Sequence, residues 1–206
     1  MFAYVKDDNI VSMPKGNKGI KIGDNQYPKT IFSLWTEAER NAIGIYTVEI
    51  DSTNKKNPEW YNNTDITYAY DSGKVTGTYG TATARAHADT LWTEKDKTDG
   101  NIPSGKDVGD VAIEGLKTIL IRQVKRQAEA ILGETDWYVT RKSEKSTAIP
   151  SAITTHRDAV RTKQAEMETA ITNASDTPAL ETLYTYTIQE DGGVTRPIGE
   201  IPRLED

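Results

Sequence analysis

From Val108 onward, apolar residues fall at Ala112, Leu116, Ile119, Leu120, Val124, Ala128 and Ile131, a stripe of helical period that ends at Gly133. The spacing predicts a helix over 108–132, roughly 36 Å long at 1.5 Å per residue. A second stripe begins after Pro150, a residue suited to the first turn of a helix, and runs through Ile153, Val160, Met167 and Ile171. His156 and Gln164 share its seam, and the helix is expected to end by Ser175 or Asp176, ahead of Pro178. Residues 134–149 lie between the two stripes and are long enough to let the helices fold back as an antiparallel pair.

Upstream the pattern shortens. The first 34 residues mix Gly, Lys, Asp and Pro with isolated apolar positions, which predicts short strands joined by turns. Thr36-Glu37-Ala38-Glu39 has capping-box spacing, and Gly44 is a natural stop, so 37–43 reads as one short helix. Ile45–Ile50 is rich in β-branched and aromatic residues and reads as a strand. Ile66–Tyr70 and Lys74–Tyr79 flank Asp71-Ser72-Gly73, the expected three-residue connection of a bulged hairpin. Residues 81–107 alternate small and polar positions and fit either an extension of the sheet or a weak helix. Leu183–Ile188 reads as a strand within an extended C-terminal arm, which could gain order by adding to a neighbour's sheet.

The fold class expected is therefore α+β. A small antiparallel β region with one short helix (1–107) precedes a helical hairpin (108–176) and an acidic arm (177–206). Composition sharpens this. Only 36% of the 206 residues are hydrophobic, with two Phe, ten Tyr and four Trp, so aliphatic stripes and Tyr or Trp rings must supply the core. Two amphipathic helices cannot hide both stripes without a third surface. Burying an aliphatic side chain contributes roughly 1.5–3 kcal/mol, so self-association is expected to cover Leu116, Ile119, Leu120, Val124, Ile131, Ile153, Val160, Met167 and Ile171.

The formal charge of −6 does not suggest wrapping nucleic acid, and the acidity is concentrated at the end: residues 176–206 hold seven acids and two bases. The absence of Cys excludes a disulfide framework, a thiolate metal site and a Cys nucleophile. The opening residues have no basic and apolar leader pattern, so no signal peptide is expected, and no apolar run approaches a membrane span of about 20 residues. Synthesis in the cytoplasm follows as the expectation.

Two stretches carry a resemblance. One is Ala130–Lys142, which contains Thr135-Asp136-Trp137 and Arg141, followed by Ile149-Pro150-Ser151 and Arg157-Asp158-Ala159-Val160-Arg161. The other is Leu34–Val48, where a short helix feeds Gly44-Ile45-Tyr46. Together they resemble phage tail and tail-fibre-associated proteins, in which a TDW corner joins two helices. The resemblance implies a virion role in the tail with no active site and no cofactor, and partners that are copies of the chain and other tail proteins. The long insert at 81–107 and the acidic arm depart from the usual pattern. Read physically, Gly133 ends the first helix, Thr135 or Asp136 caps a short turn, Trp137 turns inward as a clasp, and Arg141 bonds freed carbonyls or Asp136.

Catalytic patterns are weak. Gly100–Asp107 matches a phosphate-cradling loop for seven positions, but Asp107 replaces the hydroxyl that binds magnesium and Pro103 removes an amide. His87 and His156 are far apart, and Arg85, His87 and Asp89 do not supply enough ligands for a zinc site. No nucleophile elbow is present. Arg122, Lys125, Arg126, Arg157 and Arg161 read as solvated faces or rim contacts. A glycan-degrading enzyme would need two carboxylates across a cleft, which a chain lacking a repeated strand pattern does not suggest. The rival reading is a host-glycan-binding module using Trp60, Tyr61, Tyr68, Tyr70 and Tyr79.

Overall fold

A computed structural model describes residues 1–204 and confirms the α+β class. The chain divides into two units, Met1–Thr83 and the remainder from Ala84. The boundary expected after residue 107 thus lies earlier.

In the first unit, strands β1 (Phe2–Lys6), β2 (Asn9–Ser12), β3 (Ile20–Ile22) and β4 (Asn25–Tyr27) lead into helices α1 (Ile31–Leu34) and α2 (Glu37–Asn41). Then come β5 (Ile45–Asp51), the short β6 (Tyr61–Asn62), β7 (Ile66–Asp71) and β8 (Lys74–Tyr79). A five-stranded sheet has the order β2-β1-β5-β8-β7. It is not wholly antiparallel, because β5 and β8 run parallel with Val48 opposite Val75. Alternation along β1 divides the packing between faces. Ala3 and Val5 join Val48 and Val75, whereas Phe2 and Tyr4 pack against the cluster of Ile31, Phe32 and Ile45.

Local chemistry explains the turns. Asp71 pairs with Lys74, so the hairpin loop has two residues rather than three, and both Ser72 and Gly73 have positive φ. Asp7 and Asp8 repeat that geometry between Lys6 and Asn9. Two left-handed residues match the twist of the flanking strands. The capping box of α2 forms as expected, and Gly44 stops the segment with φ +80, where a Cβ would meet the Val5 carbonyl at 2.5 Å. A second short helix, α1, precedes the one that was expected.

In the second unit, β9 (Thr83–Ala84) lies on the boundary, followed by β10 (Thr90–Leu91), α3 (Glu94–Thr98) and β11 (Val111–Ile113). Helices α4 (Leu116–Gly133), α5 (Asp136–Lys145), α6 (Ser151–Asn173) and α7 (Thr177–Tyr184) come next, and the short pair β12 (Thr187–Ile188) and β13 (Val194–Thr195) closes the order. The first long helix starts eight residues later than expected, because β11 pairs with β10 and places Ala112 in a strand. Gly115 then caps α4. A Cβ there would meet the Ala88 backbone at 2.3 Å, and its amide donates to Asp89 Oδ1 at 2.6 Å. Residues 84–107 belong with the helices for this reason.

The two stripes face each other. Leu116, Leu120, Val124 and Ala128 of α4 are buried, as are Ile153, Val160, Met167 and Ile171 of α6. Lys117 Nζ donates to the Thr172 carbonyl and Arg157 reaches Leu132, so the pair is antiparallel as expected. The C-terminal segment is not an extended arm. Asp176 caps α7 by accepting from Ala179 N at 2.8 Å, Leu180 is buried, and Ile198 and Ile201 are buried further on. Thr177 Oγ1 donates to the Arg85 carbonyl at 2.6 Å, which ties α7 to the start of the unit.

Candidate interaction surface at the helix corner

The stripe expected to assemble copies is the core of one chain. Of its nine residues, Leu116, Leu120, Val124, Ile153, Val160, Met167 and Ile171 are buried without a second copy, and Ile119 and Ile131 are half-buried. The apolar faces therefore have the cover that the sequence argument denied them. The functional surface must be sought elsewhere.

Between α4 and α6 the chain makes a corner. Thr135 is buried and donates from Oγ1 to the Leu132 carbonyl at 3.0 Å. Arg157 comes from α6, only 8% exposed, and donates to the Leu132 carbonyl and to Thr135 Oγ1, both at 2.7 Å. Its other nitrogen pairs with Asp136 Oδ1 at 2.9 Å. One guanidinium thus satisfies a carbonyl at the C-terminal end of α4, where a cation is favoured, and holds the acid in the first turn of α5, where an anion is favoured. Arg157 was expected on a solvated face or rim. It sits four residues after Ile153 and three before Val160, a spacing that places it on the buried stripe and was the available signal.

Trp137 does not clasp the helix pair. It is 52% exposed, and its ring lies 4.0 Å from that of Tyr138 with an interplanar angle of 32°. Arg141 stacks over both rings, 4.6 Å from Trp137 and 5.2 Å from Tyr138, and Asp136 is held by Arg157 instead. The reason is the position of α5: its ten residues include none that is buried, so a ring on it has no core to enter. The corner residues Asp136, Trp137 and Arg141 come together in space, but as a bonded joint with a surface platform.

Other candidates disperse. Trp60 and Tyr61 are buried, and Tyr46 and Tyr70 pack at 5.0 Å with their hydroxyls 3.2 Å apart, so the Tyr-rich sheet packs on itself and does not display the set of rings a glycan surface would use. Burial and that hydroxyl contact raise the Tyr46 pKa, the contact with Tyr70 being the larger cause. In the Gly100–Asp107 loop, Asp107 accepts from Val108 N and pairs with Lys97 at 3.2 Å, which holds its carboxyl below the usual range. A strand rather than a helix follows that loop. Arg122 binds Glu114 through two contacts of 2.5 and 2.7 Å, and Lys125 pairs with Glu168 at 3.5 Å. His156 is buried in the seam. Among the described residues, no group of three His, Cys, Asp or Glu could hold a metal ion, and no helix is long and apolar enough to cross a membrane.

No family model, curated protein or solved structure matches the chain.

Proposed function

We propose that the chain is a non-enzymatic structural component of a phage virion, placed in the tail, that works by self-association and by docking to other tail proteins. The observation that carries this reading is the corner. Residues through which the sequence resembles tail proteins, Thr135, Asp136 and Arg157, meet in one bonded node instead of lying scattered. That node fixes a short helix whose Trp137 and Val139 face solvent. A helix held at its start but left uncovered is suited to meet a partner. The route to assembly is consequently the α5 surface, since the helix stripes are already occupied.

The test is composition and localisation. Particles of a phage that encodes the chain should contain it at a fixed ratio to the other tail proteins, and its density should be locatable in the tail. Particles made without it should be defective in tail structure. Intact, infectious particles that lack the chain would sink the reading.

A further inference from the structure

Helix α5 poses a physical problem. A ten-residue helix is marginal in water on its own, and α5 buries none of its residues. Its outward chemistry is ordered. Trp137, Arg141 and Lys145 follow one another at i, i+4 and i+8, with Tyr138 and Lys142 beside them. One face therefore carries two rings and three cations, and a cover for it needs apolar surface beside negative charge.

The same unit contains such a surface. In the hairpin of β12 and β13, Ile188 lies directly across from Val194, and the two are 82% and 58% exposed. The neighbouring positions are already satisfied, because the Gln189 amide donates to the hydroxyls of Thr187 and Thr195 at 3.1 and 2.8 Å. Glu190 and Asp191 stand at the turn, in the segment where seven acids face two bases. A two-stranded hairpin is itself marginal when alone. Both surfaces stand exposed in one chain, so neither covers the other.

We infer that the hairpin of one copy docks on α5 of a second copy, Ile188 and Val194 against the Trp137 and Tyr138 rings and Glu190 beside Lys142 and Lys145. This rests on the assembly reading and names its contact. Reciprocal exchange closes a dimer, whereas one-way exchange extends a row.

Sedimentation of the full chain tests it through charge reversal at exposed positions, with circular dichroism confirming an unchanged fold. Wild type should associate, and Lys142→Glu with Lys145→Glu should weaken association about tenfold or more, as should Glu190→Lys. Combining all three should bring affinity back to within about threefold of wild type, since each reversed charge again meets its opposite. A monomer at every concentration overturns the inference, as does association that the single sets leave unchanged or that the combination does not restore. Those outcomes leave the virion reading standing if the chain is present in particles, and its absence from them removes that reading whatever the sedimentation shows.

Discussion

Helices α5 and α6 lie in the same unit and share the Arg157 node, yet they have opposite relations to solvent. In α6, Ile153, Val160, Met167 and Ile171 recur across about five turns and all are buried. In α5, the two largest rings of the corner sit side by side at one end, and nothing is buried. The stripe that suggested an assembly surface is the interior, and the ring that suggested an interior clasp is the surface. Recurrence at helical period marks a core face, because a core must be continuous along the helix to exclude water. A pair of adjacent aromatics with an Arg one turn on can be satisfied by stacking among themselves.

The comparison breaks most severely at Val160, which is fully buried in the seam. Val160→Asp places a carboxylate there without a partner, and the expected loss exceeds about 4 kcal/mol, enough to unfold the helix pair. Urea denaturation followed by far-ultraviolet circular dichroism checks it, and a midpoint unchanged from wild type would refute the seam. Next is the joint. Arg157→Ala removes two charge-assisted hydrogen bonds and a buried side chain, while Thr135 still donates to the Leu132 carbonyl, at an expected cost of about 1.5–3 kcal/mol in the same measurement. Asp136→Asn should cost less than about 1 kcal/mol, because the Asp136 carboxylate is 62% exposed and water replaces the ion pair.

What could be read in the sequence was what local residues decide. The Thr36 capping box, the hairpin of residues 66–79 and the α6 stripe all formed, because cap, turn and period act within a few residues of one another. Partners distant in sequence left no such mark. Ala112 joined the helical period, but pairing of Val111–Ile113 with Thr90-Leu91, about twenty residues upstream, made its segment a strand. Leu183 and Tyr184 have strand-forming neighbours, yet they finish a helix whose start was written in Asp176 and Pro178. The parallel contact of β5 with β8 likewise depends on where the intervening chain returns. At the corner, Asp136, Trp137 and Arg141 were legible as a group, but which Arg bonds the acid required knowing that α6 brings Arg157 back to the end of α4.

An effect smaller than that at Arg157 is expected at α2, which like α5 has no buried residue but has a complete capping box. Thr36 N donates to Glu39 Oε2 at 2.7 Å, and Glu39 N donates to Thr36 Oγ1 at 3.3 Å. Thr36→Ala should cost about 1 kcal/mol, read from the denaturation midpoint of the first unit. The backbone bond from Thr36, reinforced by its hydroxyl, holds the Glu39 carboxyl below its ordinary value of 4.5. A value depressed by folding means that the contribution is fully present above pH 4.5 and is lost as pH falls through the lowered value. Amide signals of residues 37–41 should show fraying on acidification in that direction in nuclear magnetic resonance spectra, and the Thr36→Ala chain should lose that dependence.

The smallest effect sharpens the comparison most. A Trp clasping a helix pair would cost about 3–5 kcal/mol on truncation to Ala, through lost burial and the cavity left behind. Trp137 is 52% exposed, and its contacts are with Tyr138 and Arg141 on its own helix. Truncation therefore removes one stack and little buried area, and Trp137→Ala should change the stability of the chain by no more than about 0.5 kcal/mol. Measuring it beside Val160→Asp separates surface from seam within one unit. A Trp137→Ala loss above about 3 kcal/mol would mean that the ring is covered in the folded chain, which would return it to the interior role that its position on α5 denies it.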